Sequence, residues 1–94
     1  MRRFLDIPDE LRDFLRHLPP QLKGKIKRAL DDIVENPSVG KPLRDDLFGL
    51  NSYQVGKMRV IYRLGNLAII LVAIGPRKTI YQKMALEIKR HLPR

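Results

Sequence analysis

The chain has 94 residues, 44% of them hydrophobic and 31% charged, the size and balance of one soluble globular domain spanning residues 1–94. It has no cysteine and only two histidines, His17 and His91, which excludes a disulfide scaffold and a cysteine-ligated metal and gives no reason to expect a histidine-rich metal site. The formal net charge is +9, too basic for a surface balanced between the two signs.

In chain order, Arg2–Ile7 is expected to form a short first strand. Pro8 then opens a helix, with Asp9 and Glu10 in the first turn, where carboxylates suit the helix dipole, and with Leu11, Phe14, Leu15 and Leu18 on one stripe. Pro19-Pro20 breaks that helix and starts a second, whose stripe is Leu22, Ile26, Ala29, Leu30, Ile33 and Val34 and which Asn36-Pro37 ends. So tight a break predicts an antiparallel helix pair. The second helix carries Lys23, Lys25, Lys27 and Arg28 near its start and Asp31, Asp32 and Glu35 near its end, against its dipole; Lys27–Asp31 and Arg28–Asp32 contacts are the expected compensation. Ser38–Gly49 has no apolar period and is expected to be a loop. The period then changes to two. Leu50–Val55, Met58–Leu64 and Leu67–Ile74 read as strands joined by two-residue turns at Gly56-Lys57 and Gly65-Asn66, with glycine first, as a type II′ hairpin prefers. Leu67–Ile74 is also the longest apolar run, far short of the roughly 20 residues a membrane helix needs. With no signal-peptide pattern at the N-terminus, the expectation is a cytoplasmic protein with no membrane partner. Gly75-Pro76 ends the sheet, Thr79 and Gln82 fit a capping box, and Met84, Ala85, Ile88 and Leu92 form the stripe of a last helix closed by Pro93. The fold class is therefore α+β in the order β-α-α-β-β-β-α, a small antiparallel sheet with the helix pair packed on one face.

Hairpin register decides which side chains share a face. Alternation places Tyr53, Val55, Met58, Val60, Tyr62, Leu64, Leu67, Ile69, Leu71 and Ala73 towards the helix pair. The other face, left uncovered by that pair, receives Ser52, Gln54, Arg59, Ile61, Arg63, Ala68, Ile70, Val72 and Ile74. Arg59 is mid-strand among aliphatics, and a buried guanidinium needs a carboxylate or a phosphate. Charge placement narrows that choice. Residues 1–49 carry ten basic and nine acidic residues, whereas residues 50–94 carry nine basic residues and one acid, Glu87. Forty residues between Asp46 and Glu87 hold no carboxylate, which points to a polyanionic partner, nucleic acid first and an acidic protein segment second. A salt bridge from Arg59 to Asp45, Asp46 or Glu87 is the structural alternative. After the third strand, Arg77 and Lys78 are expected at the rim of the Arg59 face; Tyr81 is either a site residue or a core aromatic at the start of the last helix.

Two segments carry a resemblance. Leu50-Asn51-Ser52-Tyr53-Gln54-Val55-Gly56-Lys57-Met58-Arg59-Val60-Ile61-Tyr62 and Ile74-Gly75-Pro76-Arg77-Lys78-Thr79-Ile80-Tyr81, in this element order, resemble the RelE/ParE superfamily of toxins, over nearly the whole chain. The resemblance implies a RelE-like, ribosome-dependent endoribonuclease that cleaves mRNA without metal or other cofactor, by attack of a ribose 2′-OH on the adjacent phosphorus. It implies that Arg59 holds the scissile phosphate, that Arg77 stabilises the phosphate and protonates the leaving group, and that Tyr81 orients or stacks the nucleotide. The chain departs from the best-studied RelE enzymes at Gln54 and Gly56, where those place lysines, at Pro76, where a histidine is common, and in lacking a C-terminal His-Tyr pair. Lys57, in the turn, is then the candidate base, and Gln54, Lys57, Arg63 and Lys78 the candidate RNA contacts. Expected partners are ribosome-bound mRNA and a cognate antitoxin with a disordered or amphipathic segment. Two alternatives stand beside this reading: a ParE-like inhibitor of DNA gyrase, and a catalytically silent module that binds antitoxin or nucleic acid.

Overall fold

The structure is a computed structural model that describes residues 3–91, with side chains as far as Met84. The predicted stripe positions Ala85, Ile88 and Leu92, the closing Pro93, and the side chains of Glu87 and His91 lie outside these limits. The elements in order are β1 (Phe4–Asp6), α1 (Asp9–Arg16), α2 (Pro20–Glu35), β2 (Lys41–Pro42), β3 (Leu50–Val55), β4 (Met58–Leu64), β5 (Ala68–Pro76) and α3 (Arg77–His91). The five strands form one sheet in the order β1-β5-β4-β3-β2, antiparallel except that β1 runs parallel to β5 at the edge. No described helix is long and apolar enough to cross a membrane.

Both helices of the pair begin on proline-fixed backbone. Pro8 and Pro19 occupy the cap positions and Pro20 the first turn, where a missing N–H costs nothing. The lysines at the start of α2 have a local use: Lys23 Nζ donates to the Arg16 carbonyl at 2.8 Å, satisfying the C-terminal end of α1 with a cation. Neither Lys27–Asp31 nor Arg28–Asp32 forms. Asp32 instead accepts a hydrogen bond from the Tyr53 hydroxyl at 3.2 Å, linking α2 to the sheet.

The predicted face towards the helix pair holds through Leu71. Ile26, Leu30 and Ile33 of α2 pack on Val60, Tyr62, Ile69 and Leu71, each worth roughly 1.5–3 kcal/mol on burial. Tyr62 is fully buried, and its hydroxyl donates to the Pro37 carbonyl at 2.7 Å and accepts from the Gly40 N–H at 2.9 Å. Those two bonds pin the loop after α2. That loop is not structureless, since Lys41–Pro42 adds β2 to the edge of β3.

Two corrections follow from β5. Ile61 pairs with Ala73 but Tyr62 pairs with Leu71, so Val72 is an extra residue in β5, a β-bulge. Beyond it the faces exchange: Ile74 joins the core under the helix pair, and Ala73 packs on the opposite side with Ile61. The second turn is also wider than two residues, because Leu64 pairs with Ile69 rather than Leu67. This shift of two preserves the face but leaves Leu64 and Leu67 exposed.

The face opposite the helix pair is not left open. Ile80 and Met84 of α3 cover Ile61, and Leu43, Leu47, Leu50, Ala73 and Tyr81 pack around them. The strand runs straight into this helix, β5 ending at Pro76 and α3 starting at Arg77, so Thr79 lies inside the first turn and no Thr79–Gln82 capping box closes it. Arg63 at the far end of β4 stays exposed, and at the near end the start of α3 lies against the β3–β4 turn, where the Arg77 N–H meets the Lys57 carbonyl.

Candidate functional site

The tight turn at Gly56-Lys57 builds this end. Gly56 has φ 61°, the left-handed value that the first position of a type II′ turn requires, while Lys57 does not share it. The register is the predicted one: Val55 faces Met58, Gln54 faces Arg59 and Tyr53 faces Val60. On its other side Arg59 faces Gly75 of β5. The row Gln54–Arg59–Gly75 therefore crosses three strands on the face that α3 occupies, one step nearer the turn than Ser52–Ile61–Ala73.

Arg59 is half-buried, and its Nε is fully enclosed with no hydrogen-bond partner. Among the described residues no carboxylate pairs with it, so the salt bridge to Asp45 or Asp46 does not form. A buried donor without an acceptor costs about 1–3 kcal/mol. The guanidinium is thus held in place by packing and not by a counter-charge.

The start of α3 meets the turn directly. The Arg77 N–H donates to the Lys57 carbonyl at 3.2 Å, so the backbones carrying these two cations touch. Lys57, Arg77 and Lys78 are all solvent-exposed, and with Arg59 they place four positive charges around one end of the sheet. Tyr81, one helical turn after Arg77 and so on the same side of α3, is half-buried. Its ring packs against the Ile61–Ile80–Met84 cluster, as the core-aromatic reading expects, and its hydroxyl reaches Ser52 at 2.8 Å.

The structure thus gathers Lys57, Arg59, Arg77, Lys78 and Tyr81, with Gln54 beside them. Gln54 is turned inward on its own hairpin, Nε2 donating to the Gly56 carbonyl at 3.0 Å. Arg63 stands apart. It shares the face of Arg59 but lies four residues further along β4, about 13 Å away at the usual strand rise. There it lines an open groove of about 1030 Å³ with Asp46, Phe48, Lys83 and the end of β5. That groove runs beside the cationic cluster and does not include Lys57, Arg59, Arg77 or Tyr81. Ser52 was not expected at the site. The available signal was a lone hydroxyl in a strand whose same-face neighbours in the sheet, Ile61 and Ala73, are apolar.

The pattern of the family described as ParE toxin of type II toxin–antitoxin system, parDE, matches residues 2–81. Over 73 residues the chain is 33% identical to Toxin RelG of Mycobacterium tuberculosis, covering 73% of this chain and 84% of RelG. The chain belongs to the RelE/ParE superfamily of type II toxins. Its structure resembles that of the M. tuberculosis toxin–antitoxin complex RelBE2, with a TM-score of 0.71 and 27% identity over 82% of this toxin and the whole of that chain. It also resembles a mutant of E. coli toxin RelE in the free state, with a TM-score of 0.75 over 98% of this toxin and all of that chain; at 18% identity that likeness is one of fold.

Proposed function

We propose that this toxin is a ribosome-dependent endoribonuclease acting on mRNA. The single observation that carries the reading is the enclosed, unpartnered Arg59 Nε beside the junction that joins Lys57 to Arg77. A guanidinium fork held by packing and lacking an internal anion suits the oxygens of a phosphodiester. In the reaction the 2′-oxygen forms a bond to phosphorus, the bond to the 5′-oxygen breaks, and a 2′,3′-cyclic phosphate and a 5′-hydroxyl result. Lys57 is the group that receives the proton of the 2′-OH. Arg59 and Arg77 stabilise the charge on the crowded phosphorane, and Arg77 supplies the proton to the departing oxygen. Tyr81 offers the open part of its ring to a base, since its hydroxyl is engaged by Ser52. Arg63 and Lys78 are exposed cations suited to the flanking backbone.

The cellular partner that restrains the toxin is a cognate antitoxin, as the RelBE2 complex of M. tuberculosis supports for a related chain. Between Asp46 and Glu87 the toxin has no carboxylate, which favours an acidic or amphipathic antitoxin segment that folds on this surface. The setting is cytoplasmic, where translating ribosomes are.

A second reading has its own support. The matching family is described by ParE, and Gln54 near the end of β3 and Gly56 in the turn stand where a lysine-based nuclease would carry cations. In that reading the toxin poisons DNA gyrase and cuts no RNA. Primer extension on a translated message, with purified toxin and with or without ribosomes, separates the two. Cuts at codon positions in ribosome-bound message support the nuclease. Intact message together with gyrase-dependent strand breaks supports the alternative.

A further inference from the structure

Apart from Tyr62, Ser52 is the only buried side chain among the described residues that carries a polar group, 3% exposed. It projects from β3 onto the face where Ile61, Ile80 and Met84 form an apolar cluster, in a row with Ile61 and Ala73. Alanine would fit such a position and would remove a desolvated hydroxyl, so packing gives no reason for serine. The hydroxyl has one partner: the Tyr81 hydroxyl, at an Oγ–Oη distance of 2.8 Å, across 29 residues of sequence.

We infer that Ser52 is a positioning residue for Tyr81 in RNA cleavage, an inference that rests on the nuclease reading above. The bond joins the middle strand of the β2–β3–β4 edge to the first turns of α3, which also carry Arg77. It fixes the plane of the Tyr81 ring against the sheet and the rotational setting of the helix face on which Arg77 and Tyr81 sit. A tyrosine free to turn about its side-chain bonds would lose freedom only on binding RNA; a tyrosine tethered at its far end has lost it beforehand, so the stacking platform is in place when the nucleotide arrives. Ser52 itself touches no RNA and acts through Tyr81 alone.

The test is a double-mutant cycle on the full chain. Ser52→Ala, Tyr81→Phe and the double variant are compared with wild type in single-turnover cleavage of ribosome-bound message, with ribosome affinity and thermal midpoint measured in parallel. The expected result is a three- to tenfold slower cleavage in Ser52→Ala, on the order of one lost hydrogen bond, with ribosome affinity unchanged. Tyr81→Phe shows the same loss, the double variant no more than either single one, and Ser52→Thr, which keeps a hydroxyl, recovers most of the rate. Full-rate cleavage by Ser52→Ala overturns the inference and leaves the nuclease reading intact, as does an independent, multiplicative loss in the double variant. Failure of wild type to cleave under the same conditions overturns both.

Discussion

Replacing Arg59 with methionine removes the guanidinium while keeping an unbranched stem of similar reach, and two opposite effects are expected. In the folded toxin the Arg59 Nε is enclosed without an acceptor, a defect worth about 1–3 kcal/mol. The side chain as a whole is only half-buried, so the gain on substitution is placed at the lower end, about 1 kcal/mol. Removing one charge from a chain of net charge +9 acts in the same direction. For a domain of this size the thermal midpoint should rise by about 4–8 °C. Activity should move the other way, by about 10²–10³-fold, the usual loss when one preorganised donor to a developing charge is deleted. Inorganic phosphate gives an independent readout. It should raise the wild-type midpoint, by about 2.7 kcal/mol of stability at a hundredfold excess over its dissociation constant, and should have a much smaller effect on Arg59→Met. Differential scanning fluorimetry and single-turnover cleavage measure both quantities on the same preparations. A variant that melts below wild type would mean that the guanidinium is internally compensated and not waiting for an anion.

Other outcomes follow from the same geometry. Arg77→Ala should abolish growth arrest at matched expression with an unchanged circular dichroism spectrum, because the side chain is exposed; full toxicity would remove Arg77 from the site. Lys57→Ala should lower the cleavage rate more than ribosome affinity, whereas equal losses would reduce Lys57 to a phosphate contact. Tyr62→Phe strands the Gly40 N–H and the Pro37 carbonyl and should cost about 1–3 kcal/mol in denaturant titration. Gly40→Ala should be at least as damaging, because a Cβ there would come within 2.8 Å of the Tyr62 ring carbons; native-like stability in both variants would contradict the described packing. Burial raises the Tyr62 hydroxyl above its usual value, the Gly40 N–H opposing, and burial together with the Asp32 carboxylate raises Tyr53. The folded toxin therefore holds these protons more tightly than the unfolded chain does. Stability should be complete below about pH 10 and fall as pH rises through the folded values, and Tyr62→Phe should flatten that decline.

Much of this architecture was legible because local chemistry and global packing agree. Pro8, Pro19-Pro20 and Asn36-Pro37 mark the helix ends, and Gly56 fixes the β3–β4 register that sets Arg59 opposite Gln54. The bulge at Val72 was not legible, since Ala73 and Ile74 are both apolar and either face accepts either residue. The strand β1 was expected, but its parallel pairing with β5, more than sixty residues away, was not legible, nor was β2, which is too short to show a period. The expected capping box failed because Pro76 belongs to the strand and Arg77 already to the helix, leaving no room for a cap at Thr79. At the site, the sequence left a salt bridge from Arg59 to Asp45 or Asp46 open, because spacing does not say where the loop before β3 folds, and the structure forms neither pair. The covering of the same face by α3 was missed. Of the stripe expected on the last helix only Met84 lies within the described side chains, Ile80 beside it was not on that stripe, and the docking surface was hidden in the aliphatic half of the alternation, where Ile61 and Ala73 are the contacts. The Ser52–Tyr81 pair escaped for a simpler reason. A contact across 29 residues leaves no trace in local spacing.

The most direct measurement is the chemistry of the cut end. Ribosome-bound message treated with wild-type toxin should yield fragments ending in a 2′,3′-cyclic phosphate and fragments beginning with a 5′-hydroxyl, and Arg59→Met should yield neither above background. Fragments with linear 3′-hydroxyl ends, or equal yields from the two proteins, would contradict the assignment of Arg59 to the scissile phosphate.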